Sequence, residues 1–228
     1  MTTVILTFVP SILILSYFIF NDKFKEPIGS IILIFFLGFL ICLPAGILNG
    51  LSDDFFFKKL NYSEDLTVSF LGPAWAEELL KFAILYFIVM KRNEFNEPMD
   101  GLVYGVTVSL GFATLENFYY VYLLADYFET TSMSLAILRS FSAVPAHAVF
   151  GVFMGYFFMK YAFIKKGDNL FFAFIVPFVL HGCYNLFAGS NFIISLTLII
   201  VSWIIALRMF SRLKKTQKKK RREYEKKI

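Results

Sequence analysis

Long apolar runs separated by short polar breaks fill most of this chain. Each run is close to the ~20 residues that a helix needs to cross a bilayer. The pattern predicts an all-α, polytopic transmembrane helical bundle of about seven spans, with one transmembrane domain over 1–210, its core at 68–188, and a basic tail at 211–228. The predicted helices are roughly 4–20, 28–50, 68–90, 100–124, 135–160, 169–188 and 191–210.

Composition also indicates a membrane protein. Hydrophobic residues make up 58% of the 228 residues, and 30 residues are Phe, which is more than a soluble domain needs for its core. The two cysteines, Cys42 and Cys183, fall in apolar runs. We therefore expect small buried side chains rather than a disulfide framework or a zinc ribbon. No basic stretch precedes the first apolar run, which argues against a cleavable signal peptide.

The net charge of +5 is concentrated at the C-terminus. From Arg208 onward 11 residues are Lys or Arg and 2 are acidic, so the rest of the chain is net negative. The breaks at 21–27, 91–99 and 160–168 also carry Lys or Arg. The positive-inside rule then predicts an outside N-terminus and a cytoplasmic tail that is attracted to the lipid bilayer. No folded module accompanies the tail, so we expect no nucleic-acid partner.

Charged and polar residues inside the predicted spans indicate a functional site. Glu77 and Glu78 are adjacent in the third span, with Lys81 one turn later. A carboxylate near the bilayer centre costs at least a few kcal/mol, so a pair of them is a functional candidate by default. Other polar residues within the spans are Glu116, Asn117, His147, His181 and Asn185.

These side chains are expected at similar depths. At ~1.5 Å per residue, Glu77 and Glu116 lie about 12 Å below the outer ends of their helices, His181 about 10 Å and His147 about 18 Å. We therefore predict one shared site in the outer half of the membrane, where water can enter. A proline precedes three of these residues by two or four positions and is expected to kink the helix. The three prolines are Pro73, Pro145 and Pro177.

The residue types fit hydrolysis in two ways. A poorly solvated glutamate can take a proton from water, while a histidine or Asn185 donates to a developing oxyanion. Alternatively, two histidines and a glutamate form a zinc ligand set with another glutamate as base. Buried Glu and His also form proton relays, although the chain shows no internal repeat of the kind common in transporters. The residue types alone therefore do not distinguish a hydrolase from an ion-coupled transporter.

Four short motifs, in order over 73–185, resemble the signature elements of the PrsW family of intramembrane proteases. The motifs are Glu77-Glu78-Leu-Leu-Lys81, Glu116-Asn117-Phe-Tyr-Tyr120, Pro145-Ala-His147-Ala-Val-Phe-Gly151 and His181-Gly-Cys-Tyr-Asn185. The CAAX-prenyl-endopeptidase-like proteins are wider relatives, and their first motif resembles E-E-x-x-x-R. Lys81 stands one position earlier than that arginine, which favours the PrsW family.

The resemblance implies a peptide-bond hydrolase that acts on a membrane-anchored protein substrate. The implied substrate is a single-span anti-sigma factor, cut on its extracytoplasmic side to start release of a sigma factor under envelope stress. The family has been classed with metalloproteases, and its relatives have been argued to be metal-independent; we favour a glutamate acting directly on water and leave zinc open. A non-proteolytic immunity-type relative stays an alternative. Carried over by motif, the catalytic residues are Glu77, Glu78, His147, His181, Glu116 and Asn185.

Overall fold

The computed structural model describes residues 1–60, 62–164 and 167–225, with side chains as far as 219. Lys165 and Lys166 of the third basic break, and the end of the basic tail, lie outside the described residues. The described residues contain no strand, and the prediction of an all-α polytopic bundle is confirmed. The α-helices are α1 (Thr2–Asn21), α2 (Ile28–Ser52), α3 (Glu64–Leu66), α4 (Trp75–Phe87), α5 (Pro98–Leu123), α6 (Ser132–Phe141), α7 (Ala143–Ile164), α8 (Asp168–Ser190) and α9 (Phe192–Glu225).

Shorter helical segments complete the bundle. Asp53–Lys59 and Thr67–Ala74 are π-helical, and Val89–Lys91 is a turn of 3₁₀-helix. Within the described residues, five helical stretches are long and apolar enough to cross a membrane. These stretches are Thr2–Asn21, Ile28–Lys59, Ser132–Ile164, Asp168–Ser190 and Phe192–Lys219.

Two helices at the centre of the bundle are much more buried than the helices around them. The most apolar part of Ser132–Ile164 is 78% buried, whereas the corresponding parts of the other four stretches are only 22% buried. Most of α5 is also buried, from Met99 to Thr114 without interruption. The bundle therefore has α5 and α7 at its centre, and the outer helices direct apolar side chains toward lipid.

Glycines allow α5 and α7 to pack backbone against backbone. A Cβ on Gly105 would meet the carbonyl oxygen of Gly151, and a Cβ on Gly155 would meet that of Gly101. Small residues at such positions let transmembrane helices approach closely. Gly151 and Gly155, four residues apart on α7, form such a pair of small residues. Because His147 lies one turn before Gly151, this contact also sets where His147 stands relative to α5.

The predicted helix 135–160 is wrong in one respect, because it is broken at Ser142 (φ −122°, ψ −71°) into α6 and α7. The cause is Pro145, which has no N–H to donate to the carbonyl of Phe141, four residues earlier. Pro145 itself lies in the first turn of α7, where a missing N–H is tolerated. The expected kink inside a helix is thus a break at Ser142 between two helices.

The last helix is longer than predicted, because α9 continues past 210 through the basic residues to Glu225. Lys, Arg and Gln are good helix formers, so the loss of hydrophobicity does not end the helix. Contacts with the end of α1 also hold this part. Lys214 Nζ donates to Asn21 Oδ1 at 2.5 Å, and Gln217 Nε2 donates to Asp22 Oδ1 at 2.7 Å and to Glu97. The segments 22–27, 92–97 and 214–217 therefore meet at one end of the bundle.

Candidate active site

Helices α4, α5, α7 and α8 bring polar side chains together around one buried point. The structure places five of the six predicted site residues there, together with Lys81. The members nearest the centre are at most 3% exposed, so the whole arrangement is enclosed by protein. We call it the glutamate–histidine cluster, and its residues are Glu77, Glu78, Lys81, Glu116, His147 and His181.

Lys81 lies at the centre of the cluster. Its ammonium nitrogen is 2.8 Å from Glu78 Oε1, 3.6 Å from Glu77 Oε2 and 3.1 Å from His147 Nδ1. Lys81 follows the two glutamates by one helical turn, so α4 alone places these three side chains together. Its ammonium also lies 4.2 Å from the centre of the Phe112 ring. These contacts compensate the high cost of burying a charge.

The two histidines have different partners. His181 Nδ1 is 2.9 Å from Glu78 Oε1, and its Nε2 is 3.9 Å from Glu77 Oε2. His147 Nε2 is 2.9 Å from Glu116 Oε2, while its Nδ1 faces Lys81. The two imidazoles contact each other edge to face, with ring centres 5.1 Å apart.

These partners determine the tautomer of each imidazole. An ammonium group only donates, so Nδ1 of His147 accepts from Lys81 and Nε2 carries the proton that Glu116 accepts. A carboxylate only accepts, so Nδ1 of His181 donates to Glu78. In a neutral His181 ring, Nε2 is then an acceptor directed toward Glu77.

Glu77 differs from the other glutamates of the cluster. Within the described residues its side chain accepts no hydrogen bond, and its Oε2 is buried without a partner. Glu78 Oε1, by contrast, receives hydrogen bonds from both Lys81 and His181. The distance of 3.9 Å between Glu77 Oε2 and His181 Nε2 is too long for a direct hydrogen bond and suits a bridging water. Glu77 is therefore the carboxylate best placed to take a proton from water.

Arg139 is a member of this region that the sequence reasoning did not select. Its Nη2 is 2.6 Å from Glu116 Oε2, the same oxygen that faces His147. The Arg139 side chain is only 11% exposed. The signal was present in the sequence, because Arg139 is a charge inside a predicted span, as Glu77 is.

Asn185 is the predicted site residue that has a different partner. Its Nδ2 donates to the backbone carbonyl of Ser69 at 3.3 Å. Pro73, four residues later, lacks the N–H that would donate to this carbonyl in an α-helix, and the segment Thr67–Ala74 is π-helical instead. Among the described contacts, Asn185 makes no hydrogen bond to the glutamate–histidine cluster. Its role as an oxyanion donor stays a prediction.

Replacing Asn185 by alanine is expected to lower the free energy of unfolding by about 1 kcal/mol, because the hydrogen bond to the Ser69 carbonyl is lost. The measurement is a double-mutant cycle with Pro73→Ala, read by denaturant unfolding. The Pro73→Ala variant regains a backbone N–H at this position, so the Asn185→Ala change should be less costly in that background. Equal costs in both backgrounds would show that the Ser69 contact is not what Asn185 stabilises.

The cluster also contains donors for a metal ion. One ligand atom from each of Glu77, Glu78, His147 and His181 lies within 4.8 Å of the others. Carboxylate oxygen and imidazole nitrogen are zinc ligands, and the buried, unpartnered Oε2 atoms of both glutamates are available. The ammonium of Lys81 lies within 3.6 Å of three of these ligand groups, those of Glu77, Glu78 and His147, and would repel a cation. The donor set would therefore fit zinc only with the Lys81 ammonium moved away from all three.

Comparison with known proteins identifies the family of the chain. Residues 26–210 match the family described as PrsW family intramembrane metalloprotease. Protease PrsW of Oceanobacillus iheyensis is 37% identical over 210 residues, covering 89% of this chain and 92% of its own. Protease PrsW of Geobacillus kaustophilus is 38% identical over 184 residues, covering 77% and 75%. Protease PrsW of Bacillus subtilis is 36% identical over 207 residues, covering 87% and 89%.

No solved structure matches the chain. The family match includes every residue of the glutamate–histidine cluster, and the relatives cover three quarters or more of the chain at more than 30% identity. The chain therefore belongs to the PrsW family of intramembrane metalloproteases.

Proposed function

We propose that this protein is an endopeptidase that hydrolyses a peptide bond in a membrane-anchored protein, with Glu77 as the general base. The observation that carries the proposal is the buried Oε2 of Glu77, which has no hydrogen bond and lies 3.9 Å from His181 Nε2 and 3.6 Å from Lys81 Nζ. A base must be free to accept a proton, and the other glutamates of the cluster are already engaged in hydrogen bonds.

Each step of hydrolysis can be assigned to a group of this chain. A water between Glu77 and His181 gives its proton to Glu77 as its oxygen attacks the carbonyl carbon of the substrate. The Lys81 ammonium offsets the negative charge that develops next to it. Glu77 then returns the proton to the departing amide nitrogen. Glu78 acts on neither reacting group, and its hydrogen bonds hold Lys81 and His181 in position.

With zinc in the cluster, Glu78, His147 and His181 would hold the ion and Glu77 would stay the base. The ion supplies Lewis-acid activation of water or of the carbonyl. Glu77 is the base in both cases, and its Oε2 lies 3.9 Å from His181 Nε2.

The proposed substrate is a single-span anti-sigma factor, cut on its extracytoplasmic side. Depth in the bundle supports this: Glu116 lies about 10 Å from the end of α5 at Leu123 and about 27 Å from its start at Pro98. The nearer end carries the segments 53–60, 62–66 and 124–131, and the segments 22–27, 92–97 and 214–217 lie at the opposite end. A cytoplasmic C-terminus, as the positive-inside rule requires, then places the site toward the outer surface.

Topology reporters test this orientation. Alkaline phosphatase inserted within 53–66 is expected to be active, and a green fluorescent protein at the C-terminus is expected to fluoresce, because basic segments stay in the cytoplasm. A phosphatase insertion within 92–97 is the matched control and should be inactive. An inactive enzyme at 53–66 together with an active one at 92–97 would reverse the orientation.

Cleavage itself is tested with the purified full-length protein in liposomes. A tagged single-span anti-sigma factor is added, and the products are mapped by mass spectrometry, with and without a strong zinc chelator. The Glu77→Gln/Glu78→Gln double variant is the background control. A cut on the extracytoplasmic side by wild type alone supports the proposal, and the chelator decides whether zinc takes part. Equal products from wild type and the control would refute it.

A further inference from the structure

One guanidinium group contacts three residues on a single turn of α5. Besides its contact with Glu116, Arg139 donates through Nε to Asn117 Oδ1 at 2.9 Å. The guanidinium carbon also lies 3.9 Å from the centre of the Tyr120 ring. These are the three residues that define the motif Glu116-Asn117-Phe-Tyr-Tyr120. A planar, forked cation over an aromatic face suits this arrangement, and a lysine cannot reproduce it.

The amide of Asn117 is oriented by α1. Its Nδ2 donates to the backbone carbonyl of Thr7 at 2.9 Å, so Oδ1 is directed toward Arg139. Asn117 and Thr7 are both fully buried. The position of Arg139 is therefore fixed by three helices, because α6 carries the side chain, α5 receives it, and α1 orients the amide.

Arg139 and His147 share one carboxylate oxygen. Glu116 Oε2 is 2.6 Å from Arg139 Nη2 and 2.9 Å from His147 Nε2. Glu116 would otherwise be a flexible side chain at the edge of the cluster, with 13% of its surface exposed. The ion pair keeps this oxygen in place as an acceptor for the Nε2 proton of His147. That proton leaves Nδ1 of His147 as the acceptor for Lys81.

We propose that Arg139 is a positioning residue for the reaction, which acts through Glu116 to hold His147 in its Nε2–H tautomer and so directs Lys81 toward Glu78. It lies outside the glutamate–histidine cluster and touches no group to which we assign a chemical step. The expected loss of kcat rests on the proposed function, whereas the expected change in the tautomer of His147 does not. The simpler reading is that Arg139 only neutralises Glu116, and in that case another cation would serve equally well.

The tautomer can be observed directly, because the chain contains only two histidines. The protein is labelled with ¹⁵N-histidine in detergent micelles, and the imidazole ¹⁵N spectrum separates protonated from unprotonated ring nitrogens. The His181→Gln variant assigns the signals of His147. We expect the proton on Nε2 in wild type, and a mixture of tautomers in Arg139→Lys, which keeps the charge but loses the fork. Arg92→Gln is the matched control, since its ion pair with Glu94 lies at the opposite end of the bundle.

Kinetics give the second readout. Arg139→Lys is expected to lower kcat about 10–100-fold, as loss of an outer orienting partner commonly does, with KM and the unfolding midpoint unchanged. Arg92→Gln should keep the wild-type kcat. The proposal is overturned if His147 keeps its Nε2 proton in folded Arg139→Lys, or if kcat is unchanged there. If wild type cleaved no substrate, the cleavage proposal would fail, and the ¹⁵N spectrum would still decide the role of Arg139.

Discussion

Glu77→Gln is expected to lower the cleavage rate by about 10²–10⁴-fold, the usual contribution of a general base. Glutamine has nearly the same shape but cannot accept a proton from water. Glu77 makes no hydrogen bond within the described residues, and its ion pair with Lys81 is longer, at 3.6 Å, than the 2.8 Å pair of Glu78 with Lys81. The unfolding midpoint should therefore fall less in Glu77→Gln than in Glu78→Gln. The measurements are cleavage of a single-span substrate in liposomes and denaturant unfolding of the same preparations.

Glu78→Gln is the matched control, because it changes the neighbouring residue in the same way. Glu78 Oε1 is 2.8 Å from the Lys81 ammonium, and both side chains are completely buried. Removing one partner of a buried ion pair costs about 3–5 kcal/mol, since the other charge is left uncompensated. We therefore expect Glu78→Gln to lose stability and activity together. A stable, inactive Glu78→Gln beside an active Glu77→Gln would exchange the roles of the two glutamates.

The convergence of the glutamates and histidines could be anticipated from the sequence. A charge within an apolar span needs a partner, and the ~1.5 Å rise per residue gives each side chain a depth that can be compared between helices. Which atoms meet could not be anticipated in the same way. The one-turn spacing places Lys81 beside Glu77 and Glu78, as observed, but its contact with His147 depends on how α4 faces α7. A helix that is buried on all sides, as α7 mostly is, has no polar face from which to read that orientation.

Proline chemistry explains two further differences. The break between α6 and α7 follows from Pro145 and the carbonyl of Phe141, and Arg139, near the end of α6, contacts Glu116 of α5. Asn185 was assigned to the site through the motif that it shares with His181, yet its amide donates to the backbone carbonyl of Ser69, in the π-helical segment that contains Pro73. In both cases the sequence contains the proline, but not the backbone geometry that forms around it.

Gly155→Ala is expected to lower the free energy of unfolding by about 1–3 kcal/mol and to reduce cleavage with it. A Cβ at Gly155 would lie 2.7 Å from the carbonyl carbon of Gly101 and 2.9 Å from Leu102 Cα, both of which are backbone atoms that cannot turn away. Helices α5 and α7 would have to separate. Because α5 carries Glu116 and α7 carries His147, the separation would stretch their hydrogen bond.

Gly46→Ala is the control that isolates this effect. Gly46 also lies within a transmembrane helix, α2, but nothing stands within 4 Å of the position that its Cβ would occupy. Alanine is a better helix former than glycine by about 1 kcal/mol, so Gly46→Ala should be neutral or stabilising. The two variants make the same chemical change, and only Gly155→Ala should lower the unfolding midpoint. If Gly155→Ala instead unfolded like Gly46→Ala, the glycine contact between α5 and α7 would not be what holds His147 against Glu116.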